Sequence, residues 1–328
     1  MFWRNRNVFV TGSTGFLGSW VVQGLKERGA TVIGLERDSQ TAPIVHGGAR
    51  PHFIVRGSIE DFDSMLRAVN EYEVDTVLHL AAQAIVGVAN RNPMSTFEAN
   101  IRGTWTVLEA CRLSPKVRRI VIASSDKAYG TSLQMPYVET LPLQGRDPYS
   151  ASKSCTDLVA QCYHGTYGTP VCITRCANFF GGGDLNFSRI VPGTIRSVLQ
   201  GERPLLRSDG TMIRDYIYVR DVVEGYLHLA ERMEDPAVCG QAYNFSIERP
   251  MSVLAITNLI LSLMKRPDLT PVILGEATSE IPVQYLSAAK AREDIGWKPA
   301  RTLEDALLET IEWYRRHFAD QMQAKSAG

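Results

Sequence analysis

Short, almost wholly apolar runs alternate in the first half of the chain with stretches whose apolar residues recur every three or four positions. The runs are Asn7-Val8-Phe9-Val10, Thr31-Val32-Ile33-Gly34-Leu35, Phe53-Ile54-Val55, Thr76-Val77-Leu78-His79-Leu80, Ile120-Val121-Ile122-Ala123 and Val171-Cys172-Ile173-Thr174-Arg175. Runs this short, without polar alternation, predict strands of a parallel sheet buried on both faces. Between them the spacing predicts helices after Gly18 (Trp20, Val21, Leu25), from about Phe62 to Asn70, from about Pro93 to Leu113, and from Pro148 onward. Alternating strand and helix units predict an α/β fold, a doubly wound parallel sheet covered on both faces.

Past Asn178 the rhythm changes. Gly181-Gly182-Gly183-Asp184 reads as a flexible loop, followed by a helix from about Arg189 to Gln200. Arg214-Asp215-Tyr216-Ile217-Tyr218-Val219 leads past Asp221 into another helix, and Asn244-Phe245-Ser246 reads as a further sheet strand. The remainder reads as a smaller, mostly helical portion, ending in a helix from Leu303 to about His317 and about ten frayed residues. The expected domains are residues 1–178, rejoined by roughly 211–247, for the dinucleotide, and 179–328 for the substrate. With no internal repeat or low-complexity linker, the second portion is expected to pack on the first.

Composition removes several function classes. The 328 residues, with 35 basic and 35 acidic side chains, carry no charge footprint for nucleic acid or an anionic membrane. No apolar run approaches the roughly 18 to 20 residues of a membrane span. The start, Met1-Phe2-Trp3-Arg4-Asn5-Arg6, enters a strand without the apolar core of a signal peptide. Six cysteines without a Cys-x-x-Cys pair read as reduced, mostly buried thiols of a cytoplasmic protein. The six histidines are scattered, so no metal site is expected.

The first strand runs straight into Thr11-Gly12-Ser13-Thr14-Gly15-Phe16-Leu17-Gly18 and then a helix. Glycines at this spacing serve a tight turn, a close backbone approach to pyrophosphate, and helix–strand packing. The helix N-terminus then offers free N–H groups to the phosphates. A polar stretch containing Gly47-Gly48 follows the second strand. Glu36, closing that strand, stands where a carboxylate takes the adenosine ribose hydroxyls, which favours NAD over NADP; Arg37 beside it works the other way. Small residues after the fourth strand, in Leu80-Ala81-Ala82-Gln83, let a cofactor lie against backbone.

Reactive side chains gather between Ser124 and Lys153. Tyr149 and Lys153 are four apart in a helix that Pro148 opens, so they share one face. An ammonium beside a phenol favours the phenolate and makes the tyrosine a base. Ser124 or Ser125, at the end of the Ile120 strand, can donate to the same reacting oxygen, and Asp126-Lys127 follows directly.

Four motifs occur together and in order: Thr11-Gly-x-x-Gly-x-x-Gly18, Asn100-x-x-Gly103-Thr104, Tyr149-x-x-x-Lys153 and Arg214-Asp215-Tyr216-x-Tyr218-Val219. Over nearly its whole length the chain resembles extended short-chain dehydrogenases/reductases acting on nucleotide sugars. The resemblance implies a Rossmann-type NAD domain, with Ser58, Ile59, Asn100, Ser124, Tyr149 and Lys153 also toward the cofactor. It implies Asn178, Arg189, Arg214 and Tyr285 toward the nucleotide sugar, and Ser125, Asp126, Lys127, Tyr149 and Lys153 as catalytic. An arginine fork suits phosphate oxygens.

Plain 4-epimerases of the family need only Ser, Tyr and Lys, whereas 4,6-dehydratases add an acid and a base. Ser125-Asp126-Lys127, Phe2-Trp3, Ala81-Ala82-Gln83 and Gly181-Gly182-Gly183-Asp184 resemble CDP-glucose 4,6-dehydratases. The chain departs from the wider pattern at Ser58, where many members have aspartate, and at Gln284, where many have arginine. The implied activity is an NAD-dependent nucleotide-sugar 4,6-dehydratase, with a 4-epimerase as the alternative and a silent dinucleotide-binding regulator as an alternative of another class. Lys127 stays open between base and water-positioning group. A homodimer is expected from apolar residues on the Pro93 and Pro148 helices (Trp105, Val107, Leu108, Leu158, Val159), which related enzymes pair.

Overall fold

The computed structural model describes residues 2–37, 49–276 and 281–326, with side chains to residue 323; Gly47-Gly48 lies outside them. The chain begins with β1 (Asn7–Thr11), α1 (Phe16–Glu27), β2 (Thr31–Glu36), β3 (Phe53–Arg56), α2 (Phe62–Glu71) and β4 (Thr76–His79). Next come α3 (Val86–Arg91), α4 (Pro93–Phe97), α5 (Gly103–Arg112), β5 (Arg119–Ala123), α6 (Pro148–Tyr167) and β6 (Val171–Cys176). The rest holds β7 (Asn178–Phe180), α7 (Ile190–Leu199), β8 (Leu205–Leu206), β9 (Ile213–Arg214), β10 (Tyr216–Tyr218), α8 (Val219–Arg232) and β11 (Ala242–Phe245). It closes with β12 (Met251–Ser252), α9 (Val253–Leu263), β13 (Val272–Ile273), α10 (Ala289–Ile295) and α11 (Leu303–Ser326).

Seven strands form one parallel sheet in the order β11-β6-β5-β4-β1-β2-β3. Strand order reverses between β1 and β4, and a crevice therefore opens beyond their carboxyl ends. The apolar runs are continuous because each strand feeds two cores. In β1, Val8 and Val10 enter a cluster with Val21, Leu25 and Leu227, while Phe9 points the other way to Ile33, Val77 and Ile120. Each such side chain, fully buried, contributes on the order of 1.5–3 kcal/mol.

The predicted helix from Pro93 exists, but a π-helical turn at Glu98–Arg102 interrupts it between α4 and α5. Three expectations change. Gly181-Gly182-Gly183-Asp184 is buried rather than loose: a Cβ on Gly182 would lie 2.3 Å from the Trp313 ring, and Trp20 donates to the Gly182 carbonyl. The final helix does not stop near His317, because Phe318 packs against Phe187 and Tyr314 and Gln321 bonds His317. On α5, Val107 and Leu108 are core residues; Met94, Phe97, Trp105, Leu113, Leu158 and Tyr167 are the exposed ones.

Candidate active site

The crevice is a cleft of about 1410 Å³ running from the glycine loop, past the ends of β4 and β5, to α7. At one end Gly12, Thr14, Gly15, Phe16, Leu17 and Gly18 line it. Gly12 has φ +69°, and a Cβ there would lie 2.9 Å from the Ala81 nitrogen. A Cβ on Gly18 would lie 1.9 Å from the Gly12 carbonyl oxygen. The loop thus folds only around bare backbone, and Gly15 stands at the N-cap of α1, where no side chain caps the helix N–H groups. That cradle fits a pyrophosphate.

Ser58, Ile59, Leu80, Ala81, Ala82 and Gln83 form the adjoining wall. Thr11 fixes the turn after β4, accepting from the N–H groups of Leu80 and Ala81 at 3.1 and 3.2 Å while bonding His79 Nδ1 at 2.8 Å. Burial, then the charge of Lys153, lowers His79 to about 3, so this ring stays neutral. Two residues expected at the cofactor stand back from the cleft lining. Glu36 closes β2 between the lining residues Leu35 and Arg37. Asn100 lies buried behind Gln83 in the π-helical turn, accepting from the Gln83 N–H at 2.7 Å.

Asp147 caps α6 by accepting from the N–H groups of Tyr149 and Ser150, and Pro148 fills the first helical position. This local code places Tyr149 and Lys153 on the cleft face beside Ser124, Ser125, Asp126 and Lys127. Lys153 is buried and donates to the Ala123 carbonyl at 2.7 Å; burial, partly offset by Asp157, holds its ammonium down at about 8. Tyr149 does not sit below its ordinary range. Burial raises it, joined by the charges of Asp126 and Asp147 and opposed by a hydrogen bond with Ser125 and the charge of Arg189.

Asp126 and Lys127 lie in one 3₁₀ turn, Asp126–Tyr129, at the end of β5. Asp126 is only 4% exposed, and both its oxygens are engaged: Ser125 Oγ donates to Oδ1 at 3.0 Å, and Lys127 Nζ to Oδ2 at 2.9 Å. An acid, an amine and a phenol therefore share the cleft. This set can move protons at two neighbouring atoms of one ligand, beyond the single proton that Tyr149 alone would carry.

At the far end Asn178, Arg189 and Arg214 line the cleft as expected, and Asp184 holds Arg189 at 3.0 Å. Tyr285 does not line it. Its carbonyl accepts from Tyr137 N–H, and in this extended segment the alternate residue, Gln284, faces inward. Arg196 and Arg207, which also line the cleft, were missed from the sequence, and Asp184 and Gln284 were noted there without being placed at the site. Arg189, at the N-cap of α7, and Arg196, seven residues on in its last turn, were the one legible signal. Among the described residues no group of three metal-ligating side chains is placed to hold an ion, and no helix is long and apolar enough to cross a membrane.

Residues 8–245 match the NAD dependent epimerase/dehydratase family. A CDP-glucose 4,6-dehydratase of Salmonella typhimurium is 30% identical over 96% of this chain and 92% of its own length. The crystal structure of a UDP-glucose 4-epimerase from Thermotoga maritima, with UDP-glucose, superposes with a TM-score of 0.88 at 30% identity, covering 95% of this chain and 99% of that one. A dTDP-glucose 4,6-dehydratase from Streptomyces venezuelae, with NAD bound, gives 0.84 at 27% identity over 94% and 97% of the two chains. With these relatives along nearly its full length, the chain belongs to the NAD-dependent epimerase/dehydratase family.

Proposed function

We propose that the protein is a nucleotide-sugar 4,6-dehydratase, turning an NDP-hexose into the NDP-4-keto-6-deoxyhexose with loss of water. The observation that carries this reading is the Asp126–Lys127 pair, cleft-facing beside Tyr149. Gly12 to Gly18 would cradle NAD, which when bound would supply the reversible hydride chemistry that links C4 and C6. Tyr149, beside Ser125 in the cleft, first releases its own proton to solvent and as the phenolate takes the proton of the sugar's 4-hydroxyl. The ketone at C4 then acidifies the C5 hydrogen.

Lys127 Nζ and Asp126 Oδ2, 2.9 Å apart, are one proton transfer from an amine and a carboxylic acid. Asp126 gives its proton to O6 as the C6–O bond breaks, Lys127 takes the C5 proton, and water leaves. The pair is then ammonium and carboxylate again. Lys127 later returns its proton to C5, and solvent carries the Tyr149 proton back to Asp126. Asn178, Arg189 and Arg214 hold the diphosphate, with residues 1–178 and roughly 211–247 serving the dinucleotide and 179–328 the sugar nucleotide.

The protein is proposed to act as a cytoplasmic homodimer. Trp105, 45% exposed, and Leu158, 54% exposed, give α5 and α6 an apolar outer face to pair with a second copy. Sedimentation as a monomer at micromolar concentration removes the dimer. A 4-epimerase is the second reading, favoured by the 0.88 superposition on such an enzyme. Mass spectrometry of products from CDP-, dTDP- and UDP-glucose separates the two: loss of one water supports the dehydratase, and isomerisation without mass change supports the epimerase.

A further inference from the structure

Gln284 reaches the Asp126–Lys127 pair from 157 positions away in the chain. Its side-chain Oε1 accepts from Lys127 Nζ at 2.5 Å, and its Nε2 donates to the Asp126 main-chain carbonyl at 2.9 Å. The amide has one workable orientation, since reversing it would aim an NH₂ at an ammonium and an oxygen at a carbonyl. Gln284 is 1% exposed, and its backbone is clamped on both sides. Its N–H donates to Ile213 at 3.1 Å, while Tyr137 N–H donates to the next carbonyl, that of Tyr285, at 2.9 Å.

Lys127 would otherwise be a poor acid–base group. Its ammonium rides on a flexible four-carbon stem, and Asp126, its neighbour in sequence, moves with it. Gln284 belongs to a different segment and supplies a fixed external reference. With Asp126 Oδ2 and Gln284 Oε1 each taking one N–H, the third hydrogen is left for the cleft that Lys127 lines. A neutral amide also binds an ammonium less tightly than a carboxylate would, so it permits the proton to pass to Asp126.

We infer that Gln284 is a positioning residue for the elimination half of the reaction, holding Lys127 Nζ between Asp126 and the sugar's C5. This rests on the dehydratase reading. Tyr149, Ser125 and Lys153, which serve oxidation at C4, make no bond to Gln284 among those described.

The test is single turnover with whichever nucleotide hexose the unaltered enzyme dehydrates, following reduced-nicotinamide absorbance and product mass. Gln284→Leu should form reduced cofactor within about threefold of the unaltered rate yet lose water roughly 10- to 100-fold more slowly, as expected for a misplaced group. Gln284→Glu keeps the acceptor but adds charge, and should move the pH dependence of water loss upward by about one unit. A second readout needs no substrate: acetylation of Lys127 by acetic anhydride, read by peptide mass spectrometry, should rise about threefold or more in Gln284→Leu as the amine is freed. Elimination at the unaltered rate, oxidation and elimination falling together, or unchanged Lys127 labelling each overturn the role of Gln284 alone. An unaltered enzyme that removes water from no nucleotide hexose overturns the dehydratase reading itself, and this role with it.

Discussion

Asn100 Nδ2 donates to Ser152 Oγ at 2.8 Å, tying the π-helical turn after α4 to α6, 52 positions later. The same amide donates to the Gln83 carbonyl at 3.1 Å, while its Oδ1 accepts from the Gln83 N–H at 2.7 Å. The main-chain carbonyl of Asn100 accepts from the hydroxyls of Thr104 and Thr156 at 2.6 and 2.7 Å. A π turn disturbs the regular carbonyl partners of a helix, and such turns concentrate at functional sites. Here the disturbance turns one residue into a joint between the cleft wall at Gln83 and the helix bearing Tyr149.

Asn100→Ala should therefore act on stability before chemistry. It strands the Gln83 backbone and Ser152, and should cost on the order of 2–4 kcal/mol. Urea unfolding of cofactor-stripped protein checks it. An unchanged midpoint means that water or a rearranged Gln83 replaces the amide, and the joint is not Asn100.

Gly18→Ala should remove the cofactor and leave most of the sheet intact. The added Cβ would meet the Gly12 carbonyl oxygen at 1.9 Å, so the turn between β1 and α1 must open. NAD affinity measured by calorimetry should fall on the order of 100-fold or more, as a cradle displaced by an ångström loses its aligned N–H groups. Near-normal affinity with normal circular dichroism would place the pyrophosphate elsewhere.

Much of this could be read from local sequence. The apolar runs led to the strands, and the glycine spacing to the cleft end, because each depends on residues close together in the chain. Helix facing was harder: Trp105, Val107 and Leu108 are all apolar, yet only Trp105 is exposed, since the choice is made by Ile120 and its neighbours across the sheet. The role of Gln284 could not be read locally, as its partner Lys127 lies 157 positions away. The Tyr149–Lys153 spacing led to the shared cleft face, but nothing local to the pair announced that Lys153 also donates to the Ala123 carbonyl, 30 positions away.

Lys153 should make stability depend on pH in a definite direction. Burial lowers it to about 8 from 10.5, so between those values the unfolded chain holds a proton that the folded chain has released. Stability contributed by this group is present above 10.5 and is lost as pH falls through about 8. The unaltered protein should thus gain roughly 3 kcal/mol relative to Lys153→Met as pH rises through that window. Urea titrations at several pH values check this. Parallel curves for the two proteins would mean that Lys153 is not held down by burial.

The chemistry itself is divided by two substitutions. In the proposed reaction oxidation at C4 needs the phenolate of Tyr149, whereas elimination also needs a proton for O6. Tyr149→Phe should abolish every step, including any transient reduced cofactor. Asp126→Asn preserves size and can still meet Ser125, but it has no proton to release to a leaving oxygen. It also removes the charge that holds Lys127 Nζ at 2.9 Å. It should oxidise C4 at a similar rate and dehydrate on the order of 10²–10⁴-fold more slowly, the usual worth of a positioned general acid. Exchange of the C5 hydrogen with deuterated solvent should persist at a reduced level, because the ketone acidifies that position without help. Single-turnover absorbance of the reduced nicotinamide, with deuterium uptake by mass spectrometry, follows both halves at once. If Asp126→Asn dehydrates at the parent rate, Asp126 is a structural carboxylate in a strand-end ion pair. The epimerase reading, which needs only Ser125, Tyr149 and Lys153, then takes precedence.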